Sequence, residues 1–362
     1  MPAKSIQEIC IISPSLKVGG IQRELVVLAN YYVNQGLKVH FITCFYVQQF
    51  YSLDERVNLI EHHYKHSKGN AIQKIYFYLW LLRYLRQQVK AIQPEVVLTY
   101  GDITGPLVLC ALYGLKYPVF IGDKTSPDYV YPWPIPTMKK WFYPTSAGFV
   151  AQTSRAANYR DKEFSGRLNI KVIPNGIREV KLDAVDREPI VLYVGRFAWE
   201  KAPNRLIEAF AKIPENEWTL HMAGDGPMLA EMKALVAQKG LAEQVVFHGQ
   251  VREIDKLFSR ASIFVMPSVL EGFPNALCEA MWAGLPCVCF DALPYEDIFE
   301  NGKSGIAVKE GDIDGMAATI LSLMEDPGER KRLGDNALTI RDRFTTENAA
   351  NTLTNFMLES IS

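Results

Sequence analysis

Short apolar runs rich in β-branched residues recur along this chain, and most are followed by a helical pattern. That alternation restricts the fold more than any other feature, because strand, helical crossover and next strand assemble as a parallel sheet. In the first half the runs are 9–13, 39–44, 57–61, 96–99, 119–121, 149–151 and 170–173. Helical patterns separate many of them, notably 22–34 and 72–92. The cycle restarts at 190–194 and continues through 219–223, 245–247, 263–266, 287–290 and 306–308. Between the two series, 178–189 is polar, charged and ends in Pro189, which reads as a linker. The expected fold class is α/β: two Rossmann-like doubly wound domains, 1–182 and 183–345, facing a cleft into which strand carboxyl ends point.

A chain of 362 residues, 48% hydrophobic and 22% charged, has material for two cores and excludes bulk disorder. No stretch approaches the roughly 18 apolar residues of a membrane span. The start, Met1-Pro2-Ala3-Lys4-Ser5, runs directly into the first strand without the pattern of a signal peptide, so a cytoplasmic location is expected. Cys10, Cys44, Cys110, Cys278, Cys287 and Cys289 form no Cys-x-x-Cys and read as reduced core residues. The net charge of −1 hides an asymmetry: residues 1–183 carry 22 Lys+Arg against 13 Asp+Glu, the remainder 17 against 27. A basic half suits an anionic surface or ligand.

Four stretches stand out where strands end. In 14–23, Gly19 and Gly20 precede a helix; glycines let backbone approach a ligand and a helix amino end favours an anion, though a plain β–α turn holds glycines too. In 195–201, Arg196 and Lys201 place a fork-shaped donor and a point charge together, which suits a diphosphate; a solvated loop is the alternative. Gly224-Asp225-Gly226-Pro227 reads as a tight turn rather than a dinucleotide fingerprint. In 268–281, Glu271 and Glu279 straddle Gly272-Phe273-Pro274-Asn275, with proline preorganised for a first helical turn. Backbone N–H groups around Phe273–Asn275 would form an anion site. A carboxylate there would repel a phosphate, so the glutamates should serve neutral hydroxyls; a solvated helix residue is the alternative for Glu279.

Together these stretches resemble the retaining glycosyltransferases of family 4, which have the two-domain GT-B fold. The resemblance rests on Gly19-Gly20, Ile173-Pro174-Asn175-Gly176-Ile177, Gly195-Arg196 with Lys201, Gly224-Asp225-Gly226-Pro227, and Glu271-x7-Glu279 followed by Gly284-x-Pro286. It implies that Arg196 and Lys201 hold the donor diphosphate and stabilise the leaving nucleotide. It implies that Glu271 orients the transferred sugar, Glu279 takes the ribose hydroxyls, and Phe273, Pro274 and Asn275, beside Gly272, lie against sugar and phosphates. Gly224 would belong to the donor site, backbone near Gly249–Val251 would face the base, and Gly19 and Gly20 would approach from the first domain. The resemblance further implies that neither metal nor cofactor is needed, that a UDP-sugar is the commonest donor, and that helix 346–362 returns to the first domain. Front-face attack would retain the anomeric configuration without a protein nucleophile.

Many relatives carry a histidine in the first domain where this chain has Gly122-Asp123-Lys124, so Asp123 and Lys124 become candidates for the acceptor. Two aromatic stretches, 76–86 and 129–143, combine rings with Lys and Arg. For 76–86 a buried helix is the alternative to a membrane interface; in 129–143 the prolines argue against a regular helix. With the basic half they suggest peripheral attachment to an anionic inner leaflet and a polyprenyl-diphosphate-linked glycan acceptor in surface polysaccharide assembly. No nucleic-acid partner is expected. The competing readings are a nucleotide-sugar epimerase of the same fold and a non-catalytic subunit that binds donor or lipid.

Overall fold

A computed structural model describes residues 5–17, 19–64 and 70–361; Met1–Lys4 of the expected leaderless start and Val18 of stretch 14–23 lie outside them. The chain forms two compact units, Met1–Gly176 with Thr346–Ser362, and Ile177–Thr345. In the first, seven parallel strands are β1 (Glu8–Ser13), β2 (Lys38–Thr43), β3 (Asn58–Ile60), β4 (Val96–Tyr100), β5 (Val119–Gly122), β6 (Gly148–Ala151) and β7 (Ile170–Val172). Their order is β3-β2-β1-β4-β5-β6-β7. In the second, β8 (Ile190–Val194), β9 (Thr219–Ala223), β10 (Val245–Gly249), β11 (Ile263–Met266), β12 (Cys287–Phe290) and β13 (Ile306–Val308) run in the order β10-β9-β8-β11-β12-β13. Every run read as a strand is one, and both sheets are doubly wound.

The strands are apolar on both faces because helices cover both faces. Along β1, Ile9 and Ile11 enter one core while Cys10 and Ile12 enter the other, the period-2 alternation of a pleated strand. β8 repeats this, with Ile190 and Leu192 on one face and Val191 and Tyr193 on the opposite face. The carboxyl-terminal helix Thr346–Ile361 docks on the first unit through Ala350, Leu353, Phe356 and Met357. Phe356 meets Phe120 with ring centroids 5.7 Å apart, over Gly148, where a Cβ would lie 2.7 Å from the Phe356 ring.

Three expectations need correction. The stretch 178–189 is not a linker: Ile177 and Val180 are buried in the second unit's core, so the units divide at 176/177 and not at 182/183. Prolines do not keep 129–143 irregular, because Ile135–Phe142 is a helix and Pro136 falls in its first turn, where no N–H is needed. Stretch 76–86, within helix Ala71–Ile92, is two-sided: Phe77, Leu81, Leu85 and Val89 are buried, whereas Ile72, Ile75, Tyr76 and Leu79 are exposed. All six cysteines are free thiols; five are buried, and burial pushes the Cys44 thiol up to about 12.

Candidate active site

In the second unit the turns after β8, β9 and β10 are laced together at the carboxyl edge of the sheet. Gly195 N–H donates to Ala223 O at 3.0 Å and Gly224 N–H to Gly249 O at 2.8 Å. Gly224, at φ +141°, presses on the β8 turn so closely that a Cβ would lie 1.9 Å from Gly195 O. Gly226 does the same at 2.4 Å from Phe197 O. Packing within the unit is thus sufficient reason for both glycines. Gly249, at φ +63°, has open space around it, and Val251 is half-buried against the core.

The β8 turn leads into a single 3₁₀ turn, Trp199–Lys201, that delivers Lys201. Lys201 Nζ donates to Glu271 Oε1 at 2.5 Å, with side-chain exposures of 25% and 7%, so the pair is largely shielded from water. Arg196, 65% exposed, pairs with Glu200 four residues on. Glu200 also fastens the two segments together, because its carbonyl accepts from Val269 N–H at 2.9 Å and Leu270 N–H at 3.2 Å. The four charges sum to zero: two cations held beside two carboxylates.

Helix Asn275–Trp282 starts directly after Pro274 and has no side-chain cap. Of the N–H groups expected to be available there, Pro274 has none and that of Asn275 donates to Phe273 O at 3.0 Å. The Phe273 ring is buried core, 5.9 Å from Phe344, so Phe273 offers only backbone to a ligand. Glu279 is buried on this helix rather than solvated, and Arg178 Nε lies 3.3 Å from its Oε1. Arg178 is itself anchored on Asp255, whose carboxylate also accepts from Lys181 N–H at 2.9 Å. The sequence's one Asp-x-Asp triplet lies elsewhere: Asp312 caps helix Ile313–Glu325 through Gly315 N–H, and Asp314 pairs with Lys212.

In the first unit, Gly19 caps helix Gly20–Asn34 and its carbonyl accepts from Arg23 N–H at 3.0 Å. One turn along that helix Glu24 accepts from Lys124 Nζ at 2.7 Å; Lys124 also donates to Asn175 Oδ1 at 3.2 Å and sits 3.9 Å from the Tyr100 ring centroid. The glycine pair, the β5 turn and the Ile173–Ile177 motif therefore converge. Burial pulls the Lys124 ammonium down and pushes the Glu24 carboxyl up, each opposed by the other. Asp123 faces inward. Its carboxylate accepts from Lys139 at 3.1 Å, Arg160 at 2.5 Å and the Tyr143 hydroxyl at 2.5 Å, while Lys139 also reaches Asp102 at 2.6 Å. Burial raises Asp123, but Lys139, Arg160 and Tyr143 outweigh it and hold the carboxyl low; Asp102 is raised by burial and by the charge of Asp123. The carboxylate of Asp123 is thus spent on a buried ionic cluster, and Lys124 is largely enclosed.

Sequence reading missed Glu200, Arg178, Glu24, Asp102, Lys139 and Arg160. Glu200 stands beside Lys201 and carried a readable signal, an acid four residues from Arg196. The others meet partners tens of residues away, and no spacing announces that.

Two family descriptions cover nearly the whole chain: "Glycosyltransferase Family 4" matches residues 18–180, and "Glycosyl transferases group 1" matches 177–339. The chain is 25% identical over 347 residues, 92% of its length and 93% of the relative's, to GalNAc-alpha-(1->4)-GalNAc-alpha-(1->3)-diNAcBac-PP-undecaprenol alpha-1,4-N-acetyl-D-galactosaminyltransferase of Campylobacter jejuni. Among solved structures, sucrose-phosphate synthase from Thermosynechococcus elongatus superposes with a TM-score of 0.85 at 19% identity, covering 98% of this chain and 100% of that one. HepE of Anabaena in complex with UDP-glucose gives 0.76 at 17% identity, over 96% and 98%. With two parallel-sheet units of GT-B type and both halves matched, this chain belongs to the family 4 glycosyltransferases.

Proposed function

We propose that the chain is a retaining, metal-independent hexosyltransferase that moves a sugar from a nucleotide-diphosphate donor, a UDP-sugar, to a lipid-linked glycan. The observation that carries this reading is the Lys201–Glu271 pair, locked in place by the carbonyl of Glu200 and flanked by Arg196. Lys201 and Arg196 supply two positive charges where a departing diphosphate gains negative charge, which is the role a divalent ion fills elsewhere. Glu271, released from Lys201 by the phosphates, is then available to a sugar hydroxyl. Glu279, oriented by Arg178, accepts from the ribose. The bond from the anomeric carbon to phosphate breaks toward the nucleotide, the acceptor hydroxyl attacks from the same face, and its proton passes to the departing phosphate oxygen. No protein nucleophile is required.

The UDP preference is supported by the UDP-glucose complex of a structural neighbour, and the lipid-linked acceptor by the name of the Campylobacter relative. An exposed apolar and basic surface on the first unit, suited to a membrane, supports the same acceptor. Helix Ala71–Ile92 exposes Ile72, Ile75, Tyr76 and Leu79 and carries Lys74, Arg83, Arg86 and Lys90 with no acidic residue. Trp133 and Trp141 are exposed nearby in sequence to Lys140, and Arg86 donates to Tyr113 O beside the Phe142 ring. No helix among the described residues is long and apolar enough to cross a membrane, so contact would be peripheral.

The test is Lys201→Ala in a turnover assay. Loss of one such charge-stabilising donor costs roughly 10²–10³ in turnover, and near-normal turnover would return Lys201 to the status of a surface ion pair.

A further inference from the structure

At the amino edge of the second sheet, opposite the turns that hold Lys201 and Glu271, a surface cavity of about 430 Å³ opens beside Ser262 and Pro286, which directly precede β11 and β12. Its volume falls within the range of small-molecule sites. Arg187, Arg330, Lys331 and Arg341 line it, against one carboxylate, Asp335, which Lys331 Nζ holds at 2.5 Å.

None of the three arginines has a carboxylate at ion-pair distance among the described residues, although the charge of Asp326 acts on Arg330. Each is tied instead to backbone carbonyls where a helix ends: Arg187 to Phe258, Ala261 and Ala283, Arg330 to Leu323 and Met324, and Arg341 to Trp282. A helix carboxyl end carries roughly half a negative charge, so three ends offset about half of the three positive charges. Helix-end capping therefore explains the arginines only in part. The remaining positive potential is gathered in one concave site, and burial lowers the proton affinity of both Arg187 and Arg330, at Arg330 by more than the charge of Asp326 restores it. Each guanidinium has five N–H donors and spends only some of them on these carbonyls.

We propose that this cavity binds a small soluble phosphoanion through Arg187, Arg330 and Arg341. A phosphoryl group matches both the residual charge and the forked donor geometry. The site is separate from the donor residues, yet Trp282, held by Arg341, closes the helix that Asn275 opens and that carries Glu279. Occupancy would thus tighten the far end of a helix used at the donor site.

The probe is tripolyphosphate, titrated calorimetrically into the full chain. Because a diphosphate can also meet Arg196 and Lys201, the titration is made in the Arg196→Ala/Lys201→Ala background, where binding at the cavity is expected to persist. Arg330→Gln and Arg341→Gln should each weaken it about tenfold or more, the usual worth of a charge-assisted contact. Lys331→Glu, at an exposed position with little bearing on folding, should weaken it several-fold with unchanged thermal unfolding. Absence of binding in the Arg196→Ala/Lys201→Ala background, or affinity indifferent to both Arg330→Gln and Lys331→Glu, would overturn the proposal. Phosphatidate vesicles form the last arm: retention of vesicle binding by Arg330→Gln supports a soluble ligand, and its loss without any tripolyphosphate binding overturns it.

Discussion

Gly224 directly follows β9 and Gly249 closes β10, and the structure separates them sharply. An alanine at 224 would put its Cβ 1.9 Å from the Gly195 carbonyl oxygen, about 1.1 Å inside the 3.0 Å that real Cβ atoms keep, and the obstacle is backbone that cannot rotate aside. The residue would also have to hold φ +141°. Backbone strain of about 1–3 kcal/mol adds to overpacking of about 1–3 kcal/mol, so Gly224→Ala should cost about 2–6 kcal/mol. Gly249→Ala meets no atom within 4 Å and pays only for a left-handed φ of +63°, about 1–2 kcal/mol. For a unit of this size each kcal/mol lowers the melting temperature by roughly 2–4 °C. The displaced carbonyl adjoins Arg196, so Gly224→Ala should weaken nucleotide binding as well. Scanning calorimetry and UDP titration of both variants provide the readings. A Gly224→Ala protein as stable as Gly249→Ala would refute the close approach of the β8 and β9 turns.

Other consequences can be checked independently. Asp123→Ala removes the buried carboxylate that Lys139, Arg160 and Tyr143 share, leaving Lys139 only Asp102 and Arg160 chiefly Glu163 among the described residues, and breaking such a cluster typically costs about 3–5 kcal/mol; a loss under 1 kcal/mol by urea unfolding would argue for an accessible, ligand-facing Asp123. Burial first, then the charges of His248 and Arg260, pull the His221 imidazole down to about 4 from an ordinary 6.5. The unfolded chain therefore binds the extra proton more readily, and the stability linked to His221 is complete above about pH 6.5 and is lost as pH falls toward 4; His221→Gln should flatten that slope in urea titrations across this window. Tyr76→Glu with Trp141→Glu should reduce co-sedimentation with anionic liposomes and leave neutral vesicles unaffected, and binding that never depended on anionic lipid would remove the membrane surface from the account.

Much of the scaffold was readable because its signals are local. Strand runs such as 96–99 are short, β-branched and apolar on both faces, and the tail helix shows its buried residues at helical spacing. What failed was equally local in cause. The polarity of 178–189 suggested a linker, yet Arg178 and Arg187 are polar because they bind Asp255 and a set of carbonyls within the second unit. The prolines of 129–143 argue against a regular helix, although Pro136 falls in a first turn, where proline is tolerated. At the candidate site, Arg196, Lys201, Glu271 and Glu279 were visible through their spacing, whereas the pairing of Lys201 with Glu271 and of Glu279 with Arg178 depends on chain reversals that no spacing encodes.

The donor assignment at Lys201 is tested most directly by titrating UDP, GDP, ADP and dTDP into the wild-type chain and into Lys201→Ala, each with and without EDTA. The account predicts that UDP binds, that EDTA leaves its affinity unchanged, and that Lys201→Ala weakens it about tenfold or more. Binding of no nucleotide, binding only when a divalent ion is present, or equal affinity in Lys201→Ala would contradict it.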